Sequence, residues 1–203
     1  MLITALIINL VIIICECVTL GHIRGKLNIL KYYTYLQNFL TLIVSIIFSV
    51  CLITSFLSDS SIPEFIKGLR YIASCGLLAT TFIFIVFLGA GKKISITGDD
   101  FLSGFSPVAA NTILHYICPI LSAVSFVFFE REINLTNSIW TGAAAIPSCL
   151  YWIIYLILSA TKLWEEPYDF TSEKKKSTIG EFLTVLLVPL SFVAISFLLW
   201  NVK

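Results

Sequence analysis

The stretch "KYYTYLQN", residues 31–38, opens an apolar run with three polar side chains, Thr34, Gln37 and Asn38, at i, i+3 and i+4. A helix of 3.6 residues per turn brings such positions round to one face. A second polar pair, Asn111 and His115 in "NTILHYICP", stands at i and i+4 in another apolar run. In hydrocarbon a central charge costs about 2.5–3.5 kcal/mol on insertion scales, so polar groups within such runs face the protein interior and are candidates for function. A histidine that meets a hydroxyl on a neighbouring helix can act as general base, taking the proton of a serine- or threonine-type nucleophile. Cys118, at i+3 from His115, is the lesser alternative nucleophile, because a thiol among apolar side chains is poorly reactive.

Plainer readings stand beside these. Gln37, Asn38 and Asn111 can hydrogen-bond neighbouring helices as packing glue. Thr34 can cap or back-bond a helix start. Glu16 is close enough to a helix end to snorkel, and Glu181 follows Gly180 at a helix start, where a negative charge suits the helix dipole.

The elements that hold these residues follow from composition. Of 203 residues 58% are hydrophobic and only 12% charged, where soluble domains run near a quarter charged. Mean hydropathy is +0.97. The expected fold is all-α: a polytopic integral membrane protein, six transmembrane helices in one bundle and a single domain over 1–203. Windows of about 20 apolar residues, the length that crosses about 30 Å of hydrocarbon, give spans near 2–20, 34–57, 69–90, 109–129, 138–161 and 180–200. The first lacks a basic leader and a small-residue cleavage site, so it reads as a retained helix.

Several partner classes fall away. A net charge of +1 with no basic patch of interleaved aromatics gives no sign of nucleic acid. The six cysteines lie in or at the ends of apolar runs and suggest no disulfide framework. Cys15 and Cys17 flank Glu16, but residues two apart on a helix diverge by about 200° and cannot grip one ion, so no metal is expected. His22 is the only other histidine and sits in a loop, which argues against a haem between helices. No cofactor is expected.

Lysine and arginine counts set the orientation. Loops one, three and five carry Arg24, Lys26, Lys31, Lys92, Lys93, Lys162, Lys174, Lys175 and Lys176, nine of the thirteen; Lys67, Arg70, Arg131 and Lys203 fall on the other side. The positive-inside rule then makes those three loops cytoplasmic and both termini external. An Ile- and Lys-rich chain of this kind fits a bacterial plasma membrane. With alternating directions, Thr34, Gln37, Asn38, Asn111, His115, Glu16 and Glu181 all fall in the leaflet beside loops one, three and five. His115 lies on the order of 10 Å below the start of its helix.

The segments "KYYTYLQN", "NTILHYICP" with Asn111, His115 and Pro119, and "LWEEPYDF" with Trp164, Pro167, Tyr168 and Phe170 resemble, in order, the androgen-induced (ADTRP-like) family of multipass membrane threonine hydrolases and its bacterial six-pass relatives. The resemblance covers spans two to five. It implies that Thr34, with Lys31 before it, matches the nucleophile, and that His115, with Asn111 before it, matches the base. It also implies the substrate class, membrane lipids that are fatty acid esters of hydroxy fatty acids. Gln37, Asn38 or Asn111 would then donate to the developing oxyanion, at on the order of 3 kcal/mol per donor. Glu16 is a candidate to orient His115. The competing expectation is a non-enzymatic lipid- or small-molecule-binding membrane protein or transporter, for which Arg70 and Tyr71 on the opposite side and Pro147 and Pro189 as kinks speak.

Overall fold

The computed structural model describes residues 1–22, 32–86, 106–131, 135–163 and 178–202. The basic residues of loops one, three and five other than Lys162, Lys203, and the 164–170 motif lie outside the described residues, as does the side chain of Glu181. Among the described residues the chain is helical, with no strand.

The helices are α1 (Leu2–Gly21), α2 (Tyr33–Ser58), α3 (Glu64–Val86), α4, α5 (Ile139–Ala160) and α6 (Thr178–Val202). α4 is a continuous run of α-turns at Pro107–Thr112 and Cys118–Val124, interleaved with π-turns at Ile113–Ile117 and Ser125–Phe129. Among the described residues five helices are long and apolar enough to cross a membrane: Leu2–Gly21, Tyr33–Ser58, Glu64–Val86, Val108–Phe129 and Ile139–Ala160. In α6 the stretch Leu186–Val202 is apolar but shorter.

These helices are inverted relative to a soluble core. On α1, Ala5, Asn9, Ile12, Glu16 and Thr19 recur at helical spacing and are buried, whereas Ile3, Ile7, Leu10, Ile14 and Val18 lie exposed on the other side. Apolar surface turned outward along a whole helix is incompatible with water and suits a lipid solvent. α1, α2, α4 and α5 have no side-chain N-cap. An apolar surround instead favours the helix itself, because backbone groups there must be bonded within it or by a neighbouring side chain.

α3 is the central element, packing on α2, α4, α5 and α6. Small side chains permit this. A methyl placed on Gly68 would overlap the Trp140 indole of α5, and one placed on Gly76 would overlap the Gln37 amide of α2. Small residues at helix contacts let backbones approach where no hydrophobic effect draws helices together. Around α3, Tyr33, Ala79, Ile83, Trp152, Tyr155, Val188 and Phe192 form one cluster from α2, α3, α5 and α6. A second cluster centres on Tyr71, whose hydroxyl donates to the Ser196 carbonyl of α6.

Candidate functional site

His115 occupies the first π-turn of α4, and its local backbone follows from Pro119. Proline has no N–H, so the carbonyl four residues back, that of His115, loses its usual helical donor. Thr81 of α3 fills the gap, its Oγ1 donating to His115 O at 2.6 Å. A π-turn of this kind widens the helix at a single point and recurs at functional sites. The imidazole is 4% exposed and stacks on Phe84 with centroids 4.1 Å apart at 22°. It lies beside the Thr80 carbonyl, and its buried Nδ1 has no hydrogen-bond partner among the described residues. Asn111, one turn earlier, is half-buried, and its Oδ1 is likewise unpartnered.

The α2 stripe is buried along its length. Thr34, Gln37, Asn38, Thr41, Ser45 and Ser49 all lie inside. Asn38 Nδ2 donates to Thr34 O at 2.7 Å, and Thr41 Oγ1 to Gln37 O at 2.9 Å. Gln37 Nε2 crosses to Ala73 O of α3 at 3.2 Å. Part of the stripe therefore does serve packing. Asn38 Oδ1 has no partner among the described residues.

Helix register sets the relation of Thr34 to His115. α2 and α3 run antiparallel, and Gln37 meets α3 at Ala73 and Gly76. One turn back along α2 lies Thr34, which comes level with Thr80, one turn onward in α3. His115 rests against that same Thr80. Thr34 and His115 thus share a level against α3. Among the described residues no hydrogen bond joins the imidazole to Thr34 Oγ1.

Glu16 is fully enclosed, and among the described residues neither carboxyl oxygen has a hydrogen-bond partner by geometry. Cys118 of α4 faces it, and Cys15 adjoins it on α1. Snorkelling does not describe a carboxyl so enclosed. Cys118 in turn follows His115 at i+3 on α4.

A second polar cluster stands at the far end of α4, where the expected limits put Glu130 in a loop and Arg70 in the first turn of a span and give no reason to join them. The two form an ion pair at 2.9 Å with side chains 1% and 3% exposed. Arg70 Nε also donates to Glu130 Oε1 at 3.1 Å, Nη1 to Ser122 Oγ at 2.8 Å and Ser74 Oγ at 3.1 Å, and Nη2 to Ser122 O at 3.3 Å. Ser125 Oγ donates to Glu130 Oε1 at 2.6 Å, and Asn9 Nδ2 reaches the same oxygen from α1 at 3.5 Å. The guanidinium sits over the Phe48 ring at 5.7 Å. The second π-turn delivers Glu130 here, since Glu130 N bonds Ser125 O five residues back. The available signal was helical spacing: Arg70 with Ser74 at i, i+4, and Ser122 with Ser125 at i, i+3.

An apolar groove of about 380 Å³ runs between residues 78–85 of α3 and 195–202 of α6. Thr81 lines it, and the same hydroxyl holds the His115 carbonyl.

The fold and these buried groups define the class as a helical membrane protein with ionisable side chains in its interior. No family model, curated protein or solved structure matches the chain.

Proposed function

We propose that the protein is an intramembrane lipid-ester hydrolase of the androgen-induced type, with six spans in one bundle. His115 takes the Thr34 hydroxyl proton as Oγ1 attacks an acyl carbonyl; the alcohol departs with a proton, and His115 then activates water to release the acid. Asn111, Gln37 or Asn38 donates to the oxyanion. The observation that carries this reading is the buried His115 Nδ1, an open proton-accepting position one level with Thr34 in helix register. The groove lined by Thr81 offers an alkyl chain a dry path to that level. Fatty acid esters of hydroxy fatty acids are the substrate class. The nine-to-four bias of basic residues supports cytoplasmic loops one, three and five, in a bacterial plasma membrane.

The test is turnover of fluorescent acyl esters by purified protein, with labelling by a serine/threonine-hydrolase probe. Thr34→Ala and His115→Ala should each lower turnover by about 10²-fold or more. Equal turnover in parent and variants would remove the assignment.

A second reading, a non-enzymatic lipid- or small-molecule-binding protein or transporter, is favoured by one observation: ionisable groups are buried at both ends of α4, at His115 and at Glu130. Saturable lipid binding with no ester turnover, unchanged in Thr34→Ala, would select it.

A further inference from the structure

Six of the buried polar atoms that lack partners among the described residues lie on α1 and α2: Asn9 Oδ1, both oxygens of Glu16, Asn38 Oδ1, Ser45 Oγ and Ser49 Oγ. Their arrangement follows from register. Asn9 meets Ser125 and Glu16 meets Cys118, so α1 and α4 run antiparallel in fixed pairing. Leu2 and Leu6 pack with Phe48 and Leu52 at one end, and Leu20 with Tyr35 at the other, which pairs α1 with α2. Glu16 therefore stands level with Asn38 and Cys118, and Asn9 level with Ser45 and Ser125. Thr41 and Ser122 fall between these levels. All of these are buried, and the line continues through Ser122 into the Arg70–Glu130 pair. From His115 to Glu130 is 15 residues along α4, roughly 22 Å of a hydrocarbon layer of about 30 Å.

We propose that this seam between α1, α2 and α4 is a proton pathway through the membrane, with Glu16 as the residue that carries the proton. The amides of Asn9 and Asn38 are oriented by donor bonds to Ala5 O and Thr34 O, which turns their oxygens away unpaired. Polar atoms left so are ordinarily met by ordered water. An ionised carboxylate with no donor stronger than the facing Cys118 thiol is prohibitive in such a place, so Glu16 rests as the acid. The groups that face it are Cys118 from α4, Cys15 on its own helix and His115 one turn further on; α2 offers the amide of Asn38 at that level and the phenol of Tyr35 toward its start.

A proton entering from the His115 end replaces the one that Glu16 passes along the hydroxyls toward Glu130, so the carboxyl returns to its acid form. At that end the hydroxyls meet a recess of about 10 Å³, room for about one water, lined by the Arg70–Glu130 pair and by the partly exposed Lys67, and the proton leaves there while the ion pair stays intact. One proton crosses, driven by a membrane potential or pH gradient. No other bond is made or broken.

This is independent of ester hydrolysis, and its assay contains no ester. The full chain is reconstituted into phosphatidylcholine vesicles holding a pH-sensitive dye, and a potassium gradient with valinomycin imposes a potential. Vesicles with the parent protein should change internal pH several-fold faster than protein-free vesicles, and Glu16→Gln should return the rate to the protein-free value, with Glu16→Asp in between. A parent rate equal to that of protein-free vesicles, or an undiminished rate in Glu16→Gln, overturns the pathway. Infrared spectra of the parent at neutral pH supply a readout that does not depend on a variant folding: a protonated-carboxyl stretch that shifts in deuterium oxide is expected, and its absence overturns the role of Glu16.

Discussion

The two ends of α4 treat buried polarity in opposite ways. At the Glu130 end the guanidinium of Arg70 donates through Nε, Nη1 and Nη2, and Glu130 Oε1 accepts from Arg70, Ser125 and Asn9. At the His115 end the imidazole Nδ1, Asn111 Oδ1 and both Glu16 oxygens have no partner among the described residues. Each end sits at a π-turn of the same helix. A satisfied network fixes helices in place, whereas unsatisfied groups hold binding capacity at a cost in stability. The first end therefore reads as the structural clamp and the second as the reactive region.

That contrast makes opposite demands on substitutions. The largest effect is expected at the clamp: Glu130→Ala strands the Arg70 charge and should lower unfolding free energy by about 3–5 kcal/mol. The double variant Arg70→Met/Glu130→Leu should recover most of the loss, because it leaves no buried charge behind. Thermal unfolding in detergent measures both; a double variant as unstable as the single one would show that the pair does more than neutralise itself.

Next in size is Gly68→Ala, which drives a methyl into the rigid Trp140 indole and should cost about 1–3 kcal/mol by overpacking. An unchanged midpoint would mean that α3 and α5 can separate freely at this contact. A smaller loss, about 1 kcal/mol, is expected from Thr81→Val, which leaves the His115 carbonyl without the donor that replaces the one Pro119 lacks. Its ester turnover should fall with it, since the π-turn aims His115; normal turnover would separate that bond from the site.

The opposite sign is expected at the reactive end. Glu16→Met removes an unpartnered buried carboxyl and should raise stability by on the order of 1 kcal/mol. A clear destabilisation would place Glu16 with the clamp and erase the contrast.

Much of the architecture was legible in the chain. The expected limits 2–20, 34–57, 109–129 and 138–161 fall within one or two residues of helical runs, because length and hydropathy are what a bilayer selects. α3 begins at Glu64, earlier than the expected 69, so Arg70 lies well inside the helix and not at its mouth. That shift of register hid the clamp. The expected limits put Arg70 at the mouth of a span and Glu130 in a loop, and only helix packing brings them together across 60 positions.

Burial of Thr34, Gln37, Asn38, Glu16 and His115 agrees with the rule that polar groups in apolar spans face inward. Their individual partners were not legible. The amide of Gln37 goes to α3 because Gly76 leaves room for it, and Asn38 turns back to its own helix.

By itself, then, the sequence determined the all-helical fold, the apolar exterior and the set of polar residues that must look inward, since each follows from local composition and the 3.6-residue period. The tertiary structure decided which of those residues are satisfied and which are not. That depends on antiparallel register among α1 to α4 and on two π-turns, and register is a property of contacts between segments, which no single segment encodes.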